Sequence, residues 1–375
     1  MVPKTSVKHA ILAVIFISCF YLLSASPWLT LLSVLIFAYI ITSAVASTAV
    51  NPLSPRPLIT DSFSKRAKMA VFISGCDSGF GNICARRLDQ LGFRVFAGCL
   101  DICSPGAQKL SEETTERLQL VQCDVTEEDQ VKEALANVEQ SLNGAALISL
   151  INNAGIHSNS WILLTALEIY QRMFNVNCLG SIRLSKAFLP LMWTSSGNSI
   201  NDPIIHGDCR VVFVASMAGR YYLPYISAYS ISKASVLAFA DTLRRESKSF
   251  GVSVHTIEPS TYKTDMANVD VSNKNWQKDW LDNGEKMFFD KYFFERSKER
   301  FLSTLEKSTI PASKLDEVVD DMIDAAVGLT PQISYVPNLM TRVRFWVYLH
   351  VPTRVLDWLI IRRLIPQRQV LKKDQ

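Results

Sequence analysis

Tyr229 and Lys233 stand four residues apart in Ala-Tyr-Ser-Ile-Ser-Lys, a short distance after Ser216 in Val-Ala-Ser-Met-Ala-Gly. Four residues is about one helical turn, so the phenol and the ammonium share a face and the cation is expected to favour the phenolate of its neighbour. Bringing a tyrosine from about 10 to near 7 asks the surroundings for roughly 4 kcal/mol. One close cation, helped by a nicotinamide ring, is a source of that size. Far upstream, Ser74-Gly75-Cys76-Asp77-Ser78-Gly79-Phe80-Gly81 lies between an expected strand and an expected helix. Gly75, Gly79 and Gly81 let backbone N–H groups approach a pyrophosphate, and the helix opening near Phe80 turns the positive end of its dipole towards it. The two motifs together predict hydride transfer with a bound dinucleotide.

The elements that must carry these residues are legible as a βαβ series. The body is expected from about Lys68, with buried strands at 70–74, 93–100, 118–122, 147–152, 210–215 and 253–258. Helices are expected at 82–91, 127–142, 166–192 and 228–250 between them. Alternation of this kind predicts one α/β domain, a Rossmann-type doubly wound parallel sheet. The stretch 193–208, rich in Ser, Asn and Gly, reads as a surface loop.

Two apolar runs precede the body, His9 to Ala25 and Trp28 to Val50, each about long enough to cross ~30 Å of hydrocarbon. With Ser26-Pro27 between them they predict a transmembrane helical hairpin over 1–50. Lys4 and Lys8 before the pair and Arg56, Lys65, Arg66 and Lys68 after it put both ends on the cytosolic side. A cleaved signal peptide ending near Ala25 is the alternative. Residues 51–67, with Pro52, Pro55 and Pro57, form a stiff linker, and the catalytic domain follows over 68–265. Residues 266–340 are expected to hold pocket or lid helices, since 275–307 alternates charges with Trp276, Trp280, Phe288, Phe289, Phe293, Phe294 and Phe301. Residues 341–375 mix Trp346, Trp358 and Ile360 with Arg344, Arg354 and Arg362, a pattern suited to an interfacial amphipathic segment.

The net charge of +4 over 375 residues is mild and scattered, which argues against a nucleic-acid partner. The eight cysteines show no Cys-x-x-Cys pair and no histidines at zinc spacing, so no metal site is expected and reduced, mostly buried thiols are.

The motifs resemble the short-chain dehydrogenases/reductases from about Ala70 to Thr264. Ser74-Gly-x-x-x-Gly-x-Gly81 looks like the family's cofactor turn, Asp124-Val125 like its adenine contact, and Asn152-Asn153-Ala154-Gly155 like its sheet-stabilising signature. Asn177, Ser216, Tyr229 and Lys233 fall at the family's catalytic positions. Within the family, Ser-Gly-Cys-Asp-Ser-Gly-Phe-Gly and Phe-Ala-Asp-Thr-Leu-Arg-Arg-Glu resemble the branch of retinol dehydrogenases, 17-beta-hydroxysteroid dehydrogenase type 2 and D-beta-hydroxybutyrate dehydrogenase. The resemblance implies that Tyr229 exchanges the hydroxyl proton, Lys233 holds the nicotinamide ribose, Ser216 bonds the substrate oxygen and Asn177 positions a water. It also implies cofactor contacts from Ser74, Gly75, Asp77, Ser78, Gly79, Phe80, Gly81, Cys99, Leu100, Asn153, Ala154, Gly155, Pro259 and Thr264.

NAD is favoured over NADP, because Cys99, Leu100 and Asp101 offer no arginine to a 2′-phosphate and Asp77 would repel it. Ser260 stands where the family usually has glycine. The leading reading is a membrane-anchored NAD-dependent dehydrogenase of a lipophilic alcohol, a steroid or retinoid, at the endoplasmic reticulum with its body in the cytosol; a mitochondrial membrane is the alternative. The alternatives in activity are a 3-hydroxybutyrate dehydrogenase, whose substrate carboxylate would need a cation from Arg220, Lys263 or His157, and a dinucleotide-binding scaffold without catalysis. Expected partners are the small-molecule substrate and the bilayer, and a homo-oligomer is compatible with the sequence.

Overall fold

The computed structural model describes residues 56–197, 209–264, 266, 268–284 and 291–366. The two N-terminal apolar runs therefore lie outside the described residues, as do 198–208 of the expected loop. Among the described residues no helix is long and apolar enough to cross a membrane.

Among the described residues seven strands make one sheet: β1 (Met69–Ser74), β2 (Arg94–Cys99), β3 (Leu118–Gln122), β4 (Ala146–Asn152), β5 (Cys209–Val214), β6 (Val252–Ile257) and β7 (Ser334–Tyr335). Their spatial order is β3-β2-β1-β4-β5-β6-β7 and every pairing is parallel. The order reverses direction between β1 and β4, which opens a crevice at the carboxyl ends of the central strands.

Side chains alternate across the sheet and feed two cores. From β1, Val71 and Ile73 enter one core and Ala70 and Phe72 the other; from β5, Val212 and Val214 oppose Val211 and Phe213. Burial on both faces is why these strands read as unbroken apolar runs rather than as alternating ones. The first face is covered by α1 (Gly79–Gln90) and α2 (Pro105–Glu112), and the second by α3 (Glu128–Ser141).

The expected single helix over 166–192 is in fact three segments: α4 (Leu167–Met173), a π-helical stretch (Phe174–Leu179) and α5 (Gly180–Gly197). The wider π turn rotates the intervening residues relative to a regular helix, and it carries Asn177. The helix also runs past Trp193, which stacks on Phe250 with ring centroids 4.6 Å apart, so the start of the expected loop is helical. After α5 and β5 comes α6 (Ser227–Glu246), which bears Tyr229 and Lys233 and packs on the second face.

Residues 266–340 divide in two. Helices α7 (Val269–Asp279) and α8 (Lys291–Ser308) contribute Trp276, Phe294 and Phe301 to a third, aromatic cluster with Leu164, Tyr225 and Leu364. Helix α9 (Leu315–Val327) instead buries Val318, Met322 and Ala326 against the sheet beside α1. The amphipathic period of α9 does not say which neighbour it covers, and β7, only two residues long, carries no readable period. Helices α10 (Leu339–His350) and α11 (Thr353–Leu364) end the described chain. All seven described cysteines are free thiols, and all but Cys103 are buried.

Candidate active site

The cofactor turn is built by tying β1 to β4. Asn153 Nδ2 donates to the carbonyls of Ser74 and Gly75, both at 2.9 Å, while Ser74 Oγ accepts from the N–H groups of Asn153 and Ala154 at 3.1 Å. Gly75 takes a left-handed φ of +71°, and a Cβ there would lie 2.8 Å from Ala154 Cα. Gly81 packs against the same assembly, where a Cβ would collide with Gly75 O and stand 2.5 Å from Asn153 Nδ2.

Gly79 differs from both, since with φ +62° it faces open space. Ser78, the residue before α1, has an extended backbone and makes no side-chain cap bond, so the first N–H groups of α1 have no such acceptor. An uncapped helix start beside a glycine that faces a cavity fits a bound pyrophosphate. Asp77 accepts from Leu100 N and Asp101 N, both at 3.0 Å, which plants its carboxylate at the tip of β2.

One cavity of about 580 Å³ joins this turn to the catalytic motif. Its walls include Gly75, Asp77, Ser78, Gly79, Phe80, Leu100, Asp124, Val125, Asn153, Ala154 and Gly155 from the expected cofactor set. Ser216, Tyr229, Lys233, Pro259 and Thr264 line it too. Four expected residues do not line it. Ser74 and Gly81 act behind the turn, Cys99 is fully buried with its thiol pushed up to about 12 by desolvation, and Asn177 is fully buried as well. Asn177 donates from Nδ2 to Ile156 O (3.0 Å) and Ser232 Oγ (2.9 Å) and accepts at Oδ1 from Ile156 N (2.8 Å).

Ser216, Tyr229 and Lys233 converge as their spacing predicts, but their electrostatics differ from expectation. Lys233 Nζ lies 5.8 Å over the Tyr229 ring and donates to Val214 O at 2.8 Å. Burial pushes the Tyr229 phenol up to about 12, against a smaller lowering by a hydrogen bond with Ser216. Burial also pulls the Lys233 ammonium down to about 8. Sequence spacing reports the cation's proximity and is blind to the loss of water, and in the protein alone desolvation governs the phenol.

The substrate side of the cavity was readable from sequence only in part, through Phe301 of the aromatic segment and the candidate His157. His157 meets the Tyr229 ring edge-on at 4.7 Å, and burial holds its imidazole down to about 4, neutral at physiological pH. Leu223, Ile226, Met266, Phe301, Leu305 and Leu364 add apolar walls. Leu364 comes from α11 at the far end of the chain, held where Tyr225 Oη donates to its carbonyl at 3.1 Å. No local pattern marks such a contact. Ser260 also lines the cavity, and positive φ outside glycine occurs among the described residues only at Asn143, Tyr225 and Asn338. The serine therefore fits its backbone without left-handed strain. No cluster of metal-ligating side chains occurs among the described residues.

Comparison with known proteins agrees with this fold. A family model described as short chain dehydrogenase matches residues 69–275. Estradiol 17-beta-dehydrogenase 2 of Mus musculus is 33% identical over 301 residues, covering 80% of this chain and 75% of the relative. Retinol dehydrogenase 7 of Mus musculus is 33% identical over 307 residues, covering 80% and 90%. A short chain dehydrogenase from Burkholderia cenocepacia J2315, solved in complex with NADP, superposes with a TM-score of 0.56 at 19% identity, covering 79% of this chain and 98% of that one. At that identity the likeness concerns the fold.

Proposed function

The chain belongs to the short chain dehydrogenase family, and on that premise we propose that it oxidises a lipophilic alcohol, a steroid or retinoid, with NAD at a membrane surface. The observation that carries this reading is the single cavity in which Ser216, Tyr229 and Lys233 face a glycine cradle at one side and Phe301, Leu305 and Leu364 at another. A large apolar wall favours a substrate of matching character.

In this reading the N–H groups at the start of α1 hold the pyrophosphate and Lys233 holds the nicotinamide ribose. The cofactor, when bound, supplies the hydride acceptor and positive charge beside the phenol. Ser216 Oγ would bond the substrate oxygen, and Tyr229 Oη, ionised once that positive charge offsets its desolvation, would take the hydroxyl proton as the alcohol becomes a ketone or aldehyde. Asn177 contributes through the Ile156 backbone and Ser232, which it holds. Asp77, fixed at the tip of β2, places negative charge where a 2′-phosphate would lie, and this supports NAD.

A short carboxylate substrate finds less support. Arg220 is paired with Glu258, His157 is neutral, and Lys263 is exposed. The complete catalytic set and the unstrained Ser260 likewise favour catalysis over a scaffold role. Membrane contact is supported by the two N-terminal apolar runs and by α10 and α11, where Val343, Val347, Val355, Trp358 and Ile361 are exposed among arginines. The endoplasmic reticulum, with the body cytosolic, is the proposed site.

The test is NADH formation by the full chain in detergent or vesicles, on steroid and retinoid alcohols against 3-hydroxybutyrate. Turnover on the apolar alcohols is expected; activity confined to the short acid overturns the reading.

A further inference from the structure

We infer that Arg220 and Glu258 form a positioning clamp that fixes the Ser216 hydroxyl beside the Tyr229 phenol. The inference rests on the dehydrogenase reading above and adds to it two residues that touch neither substrate nor cofactor.

Glu258 follows β6 and its side chain is fully buried. A carboxylate stripped of water must be compensated by donors, and four arrive. Arg220 Nε donates to Oε2 at 2.6 Å and Arg220 Nη2 to Oε1 at 2.8 Å, a two-pronged guanidinium contact. Thr256 and Ser334 hydroxyls donate to Oε1 at 3.0 and 2.8 Å. Glu258 N also donates to Tyr335 O at 2.7 Å. The carboxylate is thus anchored to β6 and β7, and its one long-reaching partner is Arg220.

Arg220 stands four residues after Ser216, at the end of the short 3₁₀ turn Met217–Gly219. Ser216 lies at the start of that turn, and its hydroxyl accepts from Ala218 N at 3.1 Å. On the Glu258 side, Pro259 O accepts from Met217 N at 3.2 Å and from Ser216 Oγ at 3.4 Å. The catalytic turn is therefore held at both ends by two consecutive residues, Pro259 at its start and Glu258 through Arg220 at its end. The bonds to Pro259 are long, so the charged pair is the stronger restraint. The same fork fixes the segment from Arg220 to the cavity-lining Tyr221.

Loss of the clamp should let the turn drift, and misplacement of a catalytic group by about 1 Å costs on the order of 100-fold in rate. Arg220→Ala is expected to lower kcat by about 10- to 100-fold with the KM for NAD changed less than about threefold. Because the Arg220 side chain is partly exposed, added guanidinium should restore much of that kcat, while equal urea or sodium chloride should not. Glu258→Gln, which keeps the shape and loses the charge, should give a kcat loss that guanidinium does not repair. Hydrogen exchange supplies a readout independent of turnover: the Met217–Tyr221 amides should exchange at least about tenfold faster in Arg220→Ala, in line with loss of a charged hydrogen-bonded restraint. An Arg220→Ala protein with kcat within twofold of the parent, with no guanidinium rescue, or with unchanged exchange overturns the clamp. Faster exchange in Arg220→Ala than in a parent protein that itself turns over no alcohol would support the clamp and count against the dehydrogenase reading alone.

Discussion

Replacing Lys233 with methionine should abolish turnover and yet make the cofactor-free protein more stable. The ammonium sits in the wall between β5 and α6, fully desolvated, with its pKa lowered from 10.5 to about 8. A lysine whose folded pKa lies below its unfolded one destabilises the fold. The penalty is absent above the unfolded value, grows as pH falls from 10.5 towards 8, and is complete below the folded value. The difference of about 2.5 units corresponds to about 3 kcal/mol at pH 7. Against this, methionine forfeits the bond to Val214 O, a loss of about 1 kcal/mol. The net expectation is a gain of about 2 kcal/mol at pH 7, a few degrees in Tm for a body of this size. Near pH 10 the penalty in the parent falls to about 1 kcal/mol, so the gain should shrink to almost nothing. The high pKa of Tyr229 is common to both proteins and largely cancels. Thermal unfolding of both cofactor-free proteins at pH 7 and pH 10 reads this directly. A variant less stable than the parent at pH 7, or a gain that persists undiminished at pH 10, refutes the claim that desolvation governs this group.

Tyr229→Phe should lower kcat/KM by at least about 100-fold while calorimetric NAD affinity stays within a few-fold, because only the proton-exchanging oxygen is removed. Gly81→Ala should weaken both NAD binding and stability, by about 1–3 kcal/mol in stability, since its Cβ would meet Gly75 O and Asn153 Nδ2; Gly144→Ala, with open space but φ +79°, is the control for left-handed strain alone, and equal NAD loss in both would defeat the argument. Phe301→Ala, which opens the apolar wall, should raise KM for a steroid or retinoid alcohol more than it changes kcat, as kinetics on the panel would show. Tyr225→Phe removes the bond to Leu364 O and should raise KM in the same direction by a smaller factor, provided α11 forms the wall through that bond.

The Tyr229–Lys233 pair and the glycine turn were readable because each is a local pattern. One helical turn brings Tyr229 to Lys233, and one strand-to-helix turn carries Gly75, Gly79 and Gly81. The strands were readable for a related reason, since residues such as Val71 and Phe72 are both buried on opposite faces and leave an unbroken apolar run. Helix α2 carries start signals, Ser104 accepting from Ala107 N at 3.3 Å and Pro105 in the first turn, but its eight residues are too few for a clear helical period. The π-helical stretch carries no such signal: Phe174 to Leu179 reads as regular helix until Asn177 is seen bonding the Ile156 backbone.

The sequence by itself therefore determined six strands of the sheet, the glycine turn and the placing of Tyr229 one helical turn from Lys233, because spacing along one element survives folding unchanged. Tertiary structure decided the rest. Leu364, Phe301 and His157 meet around one cavity although up to 207 positions separate them. Arg220 finds Glu258 rather than a substrate, and the acidity of Tyr229 is set by how much water its neighbours exclude. Contact between distant elements and the local dielectric depend on how the chain is packed, and neither is a property of any short stretch of it.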